Sequence, residues 1–266
     1  MKKLDIGLPD VQAVYDGPEG VLWELIMGEQ IHVGGFKSSM ELATKAGIKA
    51  GMHGLDICSA LGAGCRFLVK NFGVTMTGQD ATRTMLQKAG ERVQAEGFSG
   101  KIEFQAGDVT TILSPNSTFD FVWGEDTWCY VTDKGRVISE AARVLKPGGI
   151  LAFTDWIEGP AGLSDEEANR VNSFMKFPYM ENQRGYEQLI RDNGMELISS
   201  DDLTEEFAGY VDFYIKMLTE QLTFDALKII GDDMELFQAM GGEMGNMAQI
   251  AHEGKMGRGR FVARKV

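Results

Sequence analysis

Histidine and cysteine are scarce, with three of each among 266 residues. His32, His53 and His252 are scattered, and Cys58, Cys65 and Cys129 lack metal-ligand spacing, so no zinc or iron site is indicated. An odd number of cysteines suggests no disulfide framework, and reduced thiols in the cytoplasm are the expectation. No apolar run approaches the roughly 20 residues of a membrane span. Behind the lysines of Met1-Lys2-Lys3-Leu4-Asp5 there is no apolar signal core. Positive charge is also short, at 26 Lys and Arg against 39 Asp and Glu, a net charge of −13. Such a surface repels phosphate backbones, which makes nucleic acid and anionic membranes poor partners. The acids are spread along the chain, as on a well-solvated surface. Internal repeats and low-complexity linkers are missing too. So is a Gly-x-Gly-x-x-Gly series, which disfavours an NAD-binding dehydrogenase.

What is present is an ordinary globular balance, 44% hydrophobic and 24% charged, in a chain long enough for one elaborated α/β domain. Residues 1–50 read as short helical pieces broken at Gly28, Gly34 and Gly35. From Gly54 onward, short apolar runs alternate with amphipathic stretches, the pattern of βαβ units. Strands are predicted at Gly54–Ile57, Val74–Gly78, Ile102–Gln105, Phe119–Trp123 and Ile150–Asp155. The helix before the fifth strand should stop at Lys146-Pro147-Gly148-Gly149. Met195–Leu203 and Gly259–Arg264 supply a sixth and seventh strand, closing the sheet as a late antiparallel hairpin. Three units are expected: a helical lid over 1–50, a core over 51–204 and 256–266, and a helical substrate cap over 205–255.

Acidic residues fall at three successive strand ends: Asp56, Asp80 and Asp108. The carboxyl ends of parallel strands form the crevice where open α/β sheets bind ligands. Asp80 follows Asp56 by one βαβ step, the placement of a carboxylate that accepts hydrogen bonds from both ribose hydroxyls. The small-residue turn Cys58-Ser59-Ala60-Leu61-Gly62-Ala63-Gly64 lets backbone approach a ligand.

With these motifs the chain resembles the class I S-adenosylmethionine methyltransferases. Leu55–Gly62 looks like their first motif, Thr77–Asp80 like the ribose motif and Gly107-Asp108-Val109 like the adenine-edge motif. Phe119–Trp123 and Leu145–Gly149 resemble the later strand motifs. The resemblance implies an α/β doubly wound, Rossmann-like, seven-stranded sheet and S-adenosyl-L-methionine as cofactor. Its contacts would come from Asp56, Ser59, Ala60, Gly62, Asp80, Ala81, Gly107, Asp108, Val109 and Glu125. The family usually has glycine where this chain has Cys58 and Ala60, so crowding of the methionine tail or a shift of the turn is expected there. Gly28–Gly34 and the ending Gly257–Lys265 are similar to the sarcosine/dimethylglycine methyltransferases. That implies a small-molecule methyl acceptor, with glycine, sarcosine or dimethylglycine as the specific expectation. Methylation at oxygen, sulfur or carbon, or a relative that binds the cofactor without methylating, stays open.

Each site residue also has a plainer reading. Asp80 and Asp108 could serve a helix start and a turn, and Asp56 could bond only backbone N–H groups. Glu125 and Asp126 could orient an amine or accept its proton, or cap the next turn. His32 and Trp128 are the remaining catalytic candidates, beside their readings as packed core. Trp23, Tyr130 and Trp156 could face a methylated amine with their ring faces or wall an apolar pocket. Either a monomer or a homodimer is compatible.

Overall fold

The structure, a computed structural model, describes residues 3–266; Met1 and Lys2, the start of the expected lid, lie outside them. Three helices come first: α1 (Leu8–Asp16), α2 (Pro18–Met27) and α3 (Gly35–Lys45). Proline occupies an early helical position in α1 and α2, where its missing N–H costs no hydrogen bond. The alternating region then runs β1 (His53–Ile57), α4 (Ala63–Phe72), β2 (Thr75–Asp80), α5 (Arg83–Ala95), β3 (Ile102–Ala106), β4 (Phe119–Glu125), α6 (Lys134–Val144) and β5 (Leu145–Glu158). After it come α7 (Asp165–Met175), the two-residue β6 (Glu181–Asn182), α8 (Gln183–Asp192) and β7 (Met195–Asp202). Helices α9 (Thr204–Lys216), α10 (Thr223–Ile229) and α11 (Met234–His252) precede the last strand, β8 (Met256–Lys265).

The sheet order is β3-β2-β1-β4-β5-β8-β7, with β6 paired to the end of β5. The seven-stranded expectation therefore holds along the main path, with β6 as an eighth strand. Strands β1 to β5 are parallel, and β8 runs antiparallel between β5 and β7. One boundary is corrected. Leu145 already pairs with Phe119, and the next pairs match Ile150 to Phe121, so Lys146-Pro147-Gly148-Gly149 is a bulge inside β5. Gly148 takes the positive φ of 76° that this excursion needs.

Each sheet face buries an apolar layer. One is built on Leu55, Val122, Ile138, Leu151 and Phe153, the other on Leu42, Phe67, Met76, Phe121 and Val262. A third cluster joins α2, α9 and α11 through Leu22, Ile26, Phe207, Met244 and Met247 and covers the sheet's carboxyl end. Among the described residues, no helix is long and apolar enough to cross a membrane.

Candidate active site

Three cavities lie at the carboxyl ends of the parallel strands, and Tyr15 of α1 lines all of them. The first, about 220 Å³, lies between α1 and the ends of β2 and β3; Ala60, Asp80, Ala81, Asp108 and Val109 line it. Its outer wall is Leu8 and Val11 of α1. The second, about 40 Å³, runs along the β1 turn and the end of β4 and is lined by His32, Asp56, Ser59, Ala60 and Glu125. The third, about 20 Å³, has Trp23, Asp126, Tyr130, Trp156 and Phe177 in its wall.

The β1 turn owes its shape to alternating positive φ angles: 58° at Cys58, 42° at Ala60 and 66° at Gly62. In an L residue this conformation brings Cβ close to a carbonyl, at about 1–2 kcal/mol. Cys58 and Ala60 thus hold a backbone that glycine would adopt freely. The strain is offset by direct ties. Ala60 N donates to Asp80 Oδ2 at 2.9 Å, Ser59 N to Gln79 O at 3.2 Å and Gly62 N to Ser59 O at 2.7 Å. Asp80 Oδ1 also accepts from Thr82 N at 2.7 Å, so this one carboxylate joins the turn, the end of β2 and the start of α5. Burial raises its pKa, against the pull of those N–H groups.

Four buried polar atoms in the wall of the second cavity have no hydrogen-bond partner: Ser59 Oγ, Trp123 Nε1, Glu125 Oε1 and Thr127 Oγ1. Unpaired buried groups are rare because each forfeits its hydration, so four around one cavity mark a site for a polar ligand. A zwitterion fits, with hydroxyls and an indole N–H for its carboxylate and Glu125 for its ammonium. Gly64 keeps this cradle open, since a Cβ there would lie 2.8 Å from Asp56 Oδ2 and 3.3 Å from Trp123 Nε1. Burial pushes Asp56 up to about 7 and raises Glu125 as well. Both are costly carboxylates that a bound cation would stabilise.

His32 sits on this side of the cleft. Only 2% exposed, it places Nε2 at 2.9 Å from Gln30 Oε1, 3.1 Å from Ser39 Oγ and 3.3 Å from Glu125 Oε2. Its Nδ1 lies 3.2 Å from Val33 O. Ser39 Oγ donates to the same Glu125 oxygen at 2.9 Å. Both ring nitrogens of His32 are thus engaged within the protein, one of them beside Glu125.

Asp126 turns the other way, with φ of 54°. Its Oδ2 accepts from Val33 N and its Oδ1 from Arg258 Nε, at 2.8 and 2.7 Å. Arg258 also donates Nη1 to Ser38 Oγ at 2.7 Å and Nη2 to Thr154 Oγ1 at 2.9 Å, tying α3, β5 and β8 to the acidic turn. Tyr15 and Tyr130 close the cleft between these halves, with hydroxyls 3.1 Å apart and rings nearly perpendicular at 76°. Burial holds both phenols well above their usual pKa, so they stay neutral.

Some expected site residues lie elsewhere. Gly62 and Gly107 line none of the three cavities; Gly62 caps α4, and Gly107 N donates to Asp80 O at 2.9 Å. Trp128, expected at the site, lies in the core layer, stacked on Phe153 at 3.9 Å, and lines none of the three cavities. Residues 205–255, expected as a substrate cap, also contribute no lining residue. They pack against β5 and the amino-terminal segment, through Phe207 edge-on to Trp156 and Tyr214 Oη accepting from Gly34 N at 3.3 Å. Tyr15, Met175, Phe177 and Arg258 were missed, since an isolated aromatic, methionine or arginine far along the chain carries no spacing signal.

Residues 55–153 match a methyltransferase domain family. Phosphoethanolamine N-methyltransferase 3 of Arabidopsis thaliana is 30% identical over 191 residues, 71% of this chain and 38% of that protein. Glycine/sarcosine/dimethylglycine N-methyltransferase of Actinopolyspora halophila is 24% identical over 252 residues, covering 89% of this chain and 43% of that protein. The chain thus spans less than half the length of these curated relatives. A solved phosphoethanolamine N-methyltransferase 2 of Haemonchus contortus, in complex with phosphomonomethylethanolamine and S-adenosylhomocysteine, superposes with TM-score 0.85. It is 22% identical, and the match covers 96% of this chain and 58% of that one. Strand order, cleft position and domain match agree: residues 55–153 form a methyltransferase domain, in a chain that shares its fold with the solved phosphoethanolamine N-methyltransferase.

Proposed function

We propose that this protein transfers the methyl group of S-adenosylmethionine to the nitrogen of a small amine. The observation that carries the reading is the cradle of four unpartnered polar atoms beside Asp56, in a cavity that shares Tyr15 as a wall with both others. When bound, the cofactor supplies an electrophilic methyl on a sulfonium. The chain's part is to place the acceptor in line and keep water out, which requires no protein nucleophile.

In this reading Asp80 takes the ribose hydroxyls, with Asp108 and Val109 at the adenine edge. Asp56 and Glu125 receive the ammonium of the methionine tail, and Ser59, Trp123 and Thr127 donate to its carboxylate. His32 and Ser39 keep Glu125 turned toward that tail. Tyr15 and Tyr130 seal the passage where the methyl group crosses. Asp126 accepts a hydrogen bond from the acceptor nitrogen and is the nearby base for its proton. The amine acceptors of the named relatives, phosphoethanolamine and the glycine series, support nitrogen as the methylated atom.

The test is a screen of amines with methyl-labelled S-adenosylmethionine, together with calorimetry for the cofactor. No affinity for S-adenosylmethionine or S-adenosylhomocysteine at millimolar ligand would overturn the reading. Tyr15→Phe removes one hydrogen bond of about 0.5–1.5 kcal/mol net. Turnover is therefore expected to fall about two- to tenfold, with cofactor affinity within about threefold of the parent.

A further inference from the structure

The acceptors in the relatives' names, phosphoethanolamine and the glycine series, each carry an anion beside the amine. A buried phosphate or carboxylate is held best by a cationic partner, whose charge-assisted hydrogen bonds replace more of its lost hydration than neutral donors do. Among the described residues, no lysine, arginine or histidine lines the third cavity. The one carboxylate among its described lining residues, Asp126, gives an acceptor's anion no favourable partner. Arg258, tied to Asp126, is already committed, each of its three nitrogens donating to Asp126, Ser38 or Thr154. Lys134, in the segment after Tyr130, is held by Val131 O at 2.9 Å and Tyr179 O at 3.0 Å, with its Nζ 3.8 Å from the Tyr179 ring centre.

What the cavity does offer is ring surface. Trp156 and Phe177 meet edge to face at 5.6 Å, as do Tyr130 and Phe177 at 4.9 Å, and Trp23, Met27 and Met175 fill the gaps. Such a wall attracts an alkylated ammonium through its π faces and an uncharged body through apolar contact. We propose that the methyl acceptor is a small amine without phosphate or carboxylate, held through its nitrogen by Asp126 within this aromatic wall. The inference rests on the methyltransferase reading and narrows it, and it departs from the acceptors of the relatives named above.

The test uses the full chain saturated with S-adenosylhomocysteine and two matched ligand pairs, titrated by calorimetry. One pair is phosphoethanolamine and the amine in which a methylene and a tert-butyl group replace its phosphate. The other is sarcosine and N-methylisobutylamine. The expected result is that the anion-free member binds tighter by tenfold or more in both pairs. A smaller preference, a preference for the anion, or no binding by either member overturns the inference. Failure of the methyltransferase reading shows separately, as loss of S-adenosylhomocysteine binding. In a second arm, Met27→Lys brings a cation to the same wall from the half-buried end of α2. It should raise phosphoethanolamine affinity about tenfold, and an unchanged affinity in the folded variant counts against the proposal.

Discussion

The cofactor side of the cleft draws its polar groups from strand ends and the turns beside them, where backbone N–H groups fix Asp80 and the Ala60 turn. The acceptor side is assembled from rings on segments far apart in the chain: Tyr15, Trp23, Tyr130, Trp156 and Phe177. One half is a scaffold of hydrogen bonds that exists before any ligand arrives. The other is a packing arrangement, whose chemistry rests on which side chains meet. Substitutions should therefore act differently in the two halves, on affinity in the first and on turnover or selectivity in the second.

The largest effect should come from a residue in neither half. Trp128→Ala empties a fully buried, stacked indole site and should cost about 3–5 kcal/mol of stability. Denaturant unfolding measures it. A loss under about 1 kcal/mol would return Trp128 to the pocket wall. Asp80→Ala comes next, since it strands Ala60 N, Thr82 N and the ribose hydroxyls at about 1–3 kcal/mol for each unpaired group. S-adenosylmethionine should bind at least about tenfold more weakly to the folded variant, and unchanged affinity would erase the distinction drawn for the cofactor half.

A subtler effect follows from Asp56, raised to about 7 by burial. A carboxylate whose pKa is raised on folding favours the folded state at low pH, and that contribution is lost as pH climbs through 7. An ammonium bound beside it favours the ionised form. Cofactor affinity should therefore rise up to about pH 7 and level off above it, while intrinsic stability declines over about pH 4 to 7. Asp56→Asn should flatten the affinity profile, and a profile as steep as the parent's would move the titration to another group. Smallest is Ala60→Gly. Relief of a 42° φ, about 1–2 kcal/mol, opposes the roughly 0.5–1 kcal/mol entropy cost of glycine. Stability should change little or rise slightly, with cofactor affinity unchanged. A melting temperature several degrees lower would show that the Ala60 methyl group contributes packing of its own.

Legibility in the sequence follows the same division. The acids at 56, 80 and 108 recur at βαβ intervals, so spacing alone brings them to one sheet edge. The late hairpin was readable from its two apolar runs. The bulge at 146–149 was not, because proline and glycines signal a break without saying that pairing resumes on both sides of it. Cys58 and Ala60 read as crowding the methionine tail or shifting the turn; the left-handed backbone they adopt is a property absent from residue type. Glu125 and Asp126 are neighbours that face opposite halves of the cleft, and sequence gives no sign of which faces where. The rings of the acceptor wall meet through the tertiary fold alone, as does Arg258 with Asp126 across 132 positions.

Helix α1 serves both halves at once. Leu8 and Val11 roof the first cavity, Tyr15 reaches all three, and Gln12 Nε2 is pinned to Ala81 O at 2.8 Å. Two ligands therefore share one door, hung between Gly7 and Gly17. In the proposed reaction the methylated product and the spent cofactor both pass this helix, so a turnover limited by its movement would slow as the viscosity of the solvent rises.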